Sequence, residues 1–360
     1  MTPERRFALD ALLDALGLPF DESVPVPPEA LDEVFGLLTL AHERAAELDQ
    51  HGRPLPPERP PGPRVAEIAA GLGLERRGYP GGERFLIALT HDFDLLGAGG
   101  FETSLRRLVR GRVREGSALL LDALLRRDPA FPKLGPPSTC FFLVRQETPQ
   151  DGYPERYQPA LRGALARAAT EGRELALHAS YGTRDRGGAI ATEARMLTEA
   201  SPSNCLLLTG LRHHYLRSAP ERLAGELRGA GLRYDSSIGW PSQPGLRAGT
   251  PYPYRLWDRE RREPGAWELP LVLMDATLAE ERYLGLDADA AYETAVRALE
   301  PVAEHGGAVA ILWHPPSHHP RLSNGYDRLY TRLLEWVESR GGRTGTAAET
   351  LDRWVARRGY

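Results

Sequence analysis

From residue 85 onward, short apolar runs alternate with longer stretches in which apolar residues recur every three or four positions. The runs at 85–90, 139–144, 174–178, 205–211, 232–235, 268–274 and 307–313 have the length of buried strands. Helical spacing fills the intervals near 102–127, 158–171, 190–200, 218–229 and 287–304, and continues near 324–339 and 347–357. Strands alternating with helices imply parallel βα units. About seven such units, with no Gly-rich phosphate loop among them, predict an α/β barrel over an open dinucleotide-binding sheet. Upstream, residues 1–50 read as helical, in "ERRFALDALLDALG" and "ALDEVFGLLTLAHERAAELD". The stretch 51–64, "HGRPLPPERPPGPR", is too dense in Pro and Gly for a regular element and reads as a linker or an extended wrap. The expected organisation is a helical region with its Pro-rich linker over 1–64 and a barrel over 85–360, with the boundary inside 51–84. The segment 236–266 is rich in Pro, Gly and aromatics and is expected to be a long loop.

Composition narrows the function classes. The chain has 360 residues, 41% hydrophobic and 26% charged, the mix of a globular protein large enough for one barrel-sized domain. Lys and Arg total 45 against 49 Asp and Glu, a net charge of −4, so no basic footprint points to nucleic acid. No stretch approaches the ~20 apolar residues of a membrane span, and the N-terminus lacks the apolar core of a signal peptide. The expected location is the cytoplasm, with peripheral attachment to a membrane left open. The two cysteines, Cys140 and Cys205, sit in apolar runs and are expected to be buried thiols.

The candidate chemistry falls where the apolar runs end, which in a parallel barrel is the working face. The first strand runs into Thr90-His91-Asp92-Phe93-Asp94, the third ends in His178, the fourth in Arg212-His213-His214-Tyr215, and the last in His314. In extended chain alternate side chains share a face. Asp92 and Asp94 therefore point one way, with Phe93 opposite. Two such carboxylates repel unless a cation or a proton lies between them; capping of the following helix is the plainer use of the pair. Arg212 and His214 share a face by the same rule. Arg212 suits bidentate contact with a carboxylate, and His214 suits a metal or a polarised substrate. His318 and His319, in a Pro-rich loop, are expected to be solvated, and His42, His51 and His305 to lie at the surface.

Taken in order, "THDFD", "LALHASYG", "GLRHHYLR", "RYDSSIGW", "GLRAGTPYPY", "LPLVLMD" and "ILWHPP" resemble the polysaccharide deacetylases with a NodB-homology domain. The likeness covers about residues 85–360 and fits the subgroup with a Thr-His-Asp-x-Asp first motif and an extra N-terminal region. It implies a distorted (β/α) barrel of about seven strands that removes acetyl groups from N-acetylated sugars of a polysaccharide or its precursor, using a divalent metal, expected to be Zn2+. By the same resemblance Asp92 is the catalytic base acting on metal-bound water. Asp94 and His178 are metal ligands, Arg212 orients the base, and His314 is the general acid. Tyr215 or a neighbour offers a backbone N–H to the oxyanion. The family's second histidine, four residues after the first, is here Gly182. His214 is the expected replacement ligand, with Asp185 and Glu193 behind it. At the mouth, Trp240, Tyr252, Tyr254 and Trp257 suit sugar faces. Arg247 suits an acidic or phosphorylated part of the substrate, and Asp275 is a further lining residue. Gly182 also keeps a rival reading open, a degenerate barrel that binds glycan or a protein partner without turnover. A different metal-dependent amide hydrolase on the same scaffold is a third. The sequence does not specify an oligomeric state.

Overall fold

The computed structural model describes residues 1–96, 132–152, 154–201 and 208–359, with isolated positions 108, 109, 117, 120 and 121. The helix expected at 102–127 and Cys205, with the start of its strand, lie outside the described residues. Seven strands form a continuous parallel path in the order β5 (Tyr234–Asp235), β4 (Gly210–His213), β3 (Glu174–Ala179), β2 (Thr139–Phe142), β1 (Phe85–Phe93), β9 (Ala308–Leu312) and β8 (Leu271–Met274). An antiparallel pair, β6 (Tyr254–Asp258) and β7 (Glu263–Glu268), joins the β5 edge through β7. Strands β7 and β8 follow one another along the chain. One run of residues therefore borders β5 at its start and β9 at its end, and the sheet curls into a distorted barrel.

The alternation along β1 decides what faces where. Leu86 and Ala88 join one apolar cluster with Ala308, Ala310 and Leu312 of β9. Phe85, Ile87 and Leu89 join another with Val309, Ile311 and Trp313, beneath α8 (Ala288–His305) and α9 (Tyr326–Ser339). All nine residues of the strand are buried, as in a central parallel strand covered on both faces. Carried to the end of β1, the even phase puts Thr90 and Asp92 on the barrel side, and the odd phase sends His91 to the helical side.

There the histidines depart from expectation. His318 and His319 are buried, not solvated. The His318 ring stands edge-on to Tyr330, with ring centres 4.6 Å apart, and its Nε2 is 3.3 Å from His91 Nδ1, which donates to Trp313 O at 2.7 Å. Burial, with the positive charge of Arg173 adding to it, pushes the His318 pKa down to about 3. The unfolded chain takes up this proton near pH 6.5 and the folded chain does not, so stability is complete above pH 6.5 and falls as pH drops towards 3. By pH 5 the loss from this one group is about 2 kcal/mol. A His318→Gln variant is expected to lose about that much less than wild type when denaturant unfolding at pH 7 is compared with pH 5. Parallel losses in the two proteins would assign the acid sensitivity elsewhere.

Other departures concern boundaries. The second N-terminal helix, α2 (Pro28–Leu38), stops well before residue 49, because Leu40 takes a left-handed conformation (φ 52°). The expected 236–266 loop contains β6 and the start of β7. A further strand, β10 (Gly342–Gly345), pairs with the start of β1 and has no apolar signature at all. It lies so close that a Cβ at Gly342 would meet the Phe85 ring at 2.4 Å, so only glycine fits. The helices α1 (Pro3–Ala15) and α2 pack on the barrel: Phe7 and Phe35 both meet the Trp257 ring edge-on, with centres 5.2 and 5.4 Å away. Cys140 is a buried free thiol. Among the described residues, no helix is long and apolar enough to cross a membrane.

Candidate active site

The strand ends converge as the spacing predicts. Asp94, just past β1, lies at the centre of three imidazoles. Its Oδ1 is 3.0 Å from His178 Nε2 and 3.5 Å from His214 Nε2, and its Oδ2 is 3.5 Å from His314 Nε2. The ligating atoms of Asp94, His178 and His214 all lie within 4.8 Å of one another. Asp92, one step back on the same face, is buried 3.7 Å from His178 Nε2 and 3.2 Å from Arg212 Nη1. Asp92, Asp94, His178, His214 and His314, with Tyr215, line a cavity of about 280 Å3.

Each imidazole is held from behind. His178 Nδ1 donates to Arg212 O at 2.9 Å, and His214 Nδ1 donates to Asp151 Oδ1 at 3.0 Å. With Nδ1 spent as a donor, a neutral ring presents the lone pair of Nε2 to the cluster, the tautomer that binds a cation. Asp151 sits in a short turn after β2 and also accepts from Tyr181 N (2.7 Å) and Thr148 Oγ1 (2.7 Å). Burial works to raise its pKa, but the bonds from His214 and Thr148 outweigh it and the group is held below its ordinary value. Sequence reasoning missed Asp151, which no strand-end rule reaches. An Asp within "TPQDG", ahead of α4 (Pro154–Thr170), was the one available signal.

His314 is anchored by Asp275, whose Oδ1 accepts from Nδ1 at 2.6 Å and whose Oδ2 accepts from His314 N at 3.1 Å and from Ser317 Oγ. Burial opposes a charge on His314, but Asp275 and then Asp94 and Asp92 outweigh it, and its pKa is pushed up to about 10. On His178 the same contest, burial against Asp92 and Asp94, also ends with the pKa raised. Asp94 shows the converse: burial would raise its pKa, and the surrounding imidazoles, His214 foremost, hold it well below the carboxylate range.

Arg212 is fully buried and spends its whole fork: Nε donates to Ser236 O (2.8 Å), Nη2 to Ser236 Oγ (2.8 Å), and Nη1 to Thr90 Oγ1 (2.7 Å) and Asp92. His213 takes the opposite phase and meets Ser237 Oγ instead.

Asp275 does line the mouth: it borders a cavity of about 270 Å3 together with Asp92, Asp94 and His314, and it anchors His314 as well. Some expected residues do not come to the site. Trp240 is buried under the Arg247 guanidinium, 5.0 Å from its ring centre, and Arg247 is itself buried in a two-pronged pair with Glu43 (2.8 and 2.9 Å). Neither is among the residues lining the cavity. Tyr252, Tyr254 and Trp257 are likewise buried. Gly182 falls in a short turn, Tyr181–Asp185, outside the cluster. Of the weaker ligand candidates, Glu193 is tied to Ser180 and Asp185 pairs with Arg217 at 2.7 Å. His51, expected at the surface, hydrogen-bonds Tyr181 Oη at 3.1 Å.

No protein-family model and no curated protein matches the sequence. Solved structures do match in shape. A protein from Mycobacterium smegmatis assigned as a polysaccharide deacetylase superposes with a TM-score of 0.51 at 17% identity, over 78% of this chain and 93% of its own. The Puue allantoinase superposes with a TM-score of 0.50 at 16% identity, over 88% of this chain and 99% of its own. The chain therefore has the distorted barrel fold found in the NodB-like polysaccharide deacetylases, a fold also seen in an allantoinase.

Proposed function

We propose that the protein is a metal-dependent hydrolase that removes the acetyl group from an N-acetylated sugar of a polysaccharide or its precursor. The observation that carries this reading is the convergence of Asp94, His178 and His214 within one ligand sphere, flanked by an Asp92–Arg212 pair and a His314–Asp275 pair. One carboxylate and two imidazoles, each imidazole held through Nδ1, form a donor set suited to zinc. When bound, such a cation supplies Lewis acidity to the amide carbonyl and to the attacking water. Asp92 accepts the proton of that water, and Arg212 balances and orients its carboxylate. The N–H of Tyr215, in the turn after β4, donates to the oxyanion. His314, fixed by Asp275, protonates the departing amine, which leaves poorly without a proton. Acetate and a free amino sugar result.

The rival reading of a non-catalytic barrel rested on Gly182, and His214 offers an imidazole where that position has none. The experiment is metal analysis of the purified protein, followed by acetate release from a panel of N-acetyl sugars, with allantoin as a cyclic-amide comparison. Zinc-dependent acetate release is expected. Turnover of allantoin alone would move the protein to another amide hydrolase class, and a metal-replete protein inert on every compound would remove the enzymatic reading.

A further inference from the structure

The N-terminal stretch read as a linker reaches the cavity. Residues 49–53 fold into a tight turn around Asp49, which accepts from His51 N (2.8 Å), Arg53 N (3.0 Å) and Arg53 Nε (2.7 Å). Arg53 is buried, lines the cavity, and donates from Nη1 to Tyr215 O at 2.7 Å. The rest of the turn meets Tyr215 and two neighbouring arginines. The His51 ring lies 4.7 Å from the Tyr215 ring, His51 O accepts from Arg217 Nε (2.9 Å), and Gly52 O accepts from Arg184.

What it holds is unusual. Tyr215 (φ 61°) and Leu216 (φ 54°) are two consecutive non-glycine residues in the left-handed region. Such a residue is strained and persists only where its surroundings over-determine it. The strained pair follows His214 directly, so a relaxed turn would swing the His214 ring away from Asp94. Asp151 fixes that ring from one side; within the turn Arg217 N donates to His214 O (3.2 Å) and Ser218 N to Leu216 O (3.0 Å), and Arg53 adds the bond to Tyr215 O.

We propose that Arg53 is a positioning residue for the cation site: through Tyr215 O it keeps the 215–216 turn in the conformation that holds His214 on Asp94. The N-terminal segment is then a working part of the site. This rests on the reading of Asp94, His178 and His214 as ligands.

The test is zinc affinity, measured by competition with a chromophoric chelator, together with the ligand-field absorption of the cobalt-loaded protein. Arg53→Ala is expected to weaken zinc binding by about tenfold or more, the scale of losing a group that orients a ligand, and to change the cobalt spectrum. Arg53→Lys keeps a donor for Tyr215 O without the fork on Asp49 and is expected to recover part of the loss. Arg64→Ala, which removes an exposed pair with Glu33 in the same N-terminal region, is expected to bind like wild type. Wild-type affinity and spectrum in Arg53→Ala would overturn the proposal and leave the ligand set standing. Should Arg53→Ala not fold, Arg53→Met, which keeps most of the side-chain volume but offers no donor to Tyr215 O, takes its place, and wild-type affinity and spectrum in that variant would overturn the proposal equally. A wild-type protein that binds neither metal would overturn both this inference and the reading beneath it.

Discussion

Asp94→Ala is expected to leave the barrel folded, to abolish zinc binding, and to lower acetate release by more than about 10^3-fold. Asp94 contributes the one carboxylate among the three residues proposed as ligands and faces three imidazoles at 3.0–3.5 Å. Without it the remaining donors are two imidazoles, which bring no negative charge, and a divalent cation loses its charge partner. Removing a single oxyanion donor already costs about 10^2–10^3 in rate, and loss of the Lewis acid removes activation of the water as well. The fold survives because Asp94 stands beyond the end of β1, half-buried at the open mouth, and supports no strand pairing. Thermal melts separate the two effects. Zinc at about a hundredfold over its Kd stabilises a binding protein by about 2.7 kcal/mol. That upward shift is expected in wild type and not in Asp94→Ala, with the metal-free melting temperatures close together. A variant that still gains stability from zinc and keeps its rate would place the cation elsewhere.

How much of this was legible depends on which physical rule governs each residue. Asp92, Asp94, Arg212 and His214 were readable because two-residue alternation at a strand end fixes relative direction, and the clusters on β1 show the alternation obeyed from Phe85 to Leu89. His178 and His314 were readable as polar residues closing apolar runs. Asp151, Asp49 and Arg53 were not. They act from turns, and the contacts that give them meaning join segments far apart in sequence. Trp240 and Arg247 misled for the complementary reason: their composition suits a sugar, but Glu43 from the N-terminal region turns Arg247 inward and the arginine covers Trp240. Strand β10 was invisible because "GRTG" answers to a close approach at Phe85 and not to hydrophobic burial.

Arg212→Met is expected to be the most destabilising substitution in the site. The guanidinium is fully buried, binds Asp92, Thr90 and both oxygens of Ser236, and lies 4.6 Å from the Phe141 ring centre. Methionine fills much of the volume but leaves the Asp92 carboxylate buried without its cation, and breaking a buried pair in that way costs about 3–5 kcal/mol. Chemical denaturation should show a loss of that size. The double variant Arg212→Met/Asp92→Asn should recover part of it, because the uncompensated charge is then gone; no recovery would mean that the arginine acts by packing on Phe141 and bonding Ser236. Rate and stability should also part company. Arg212→Lys retains a charge near Asp92 but offers no planar fork to hold Thr90 and Ser236 together. It is expected to regain part of the stability of Arg212→Met while acetate release stays low, since a base must be aimed as well as charge-balanced. Equal recovery of rate and stability in Arg212→Lys would reduce the role of Arg212 to charge alone.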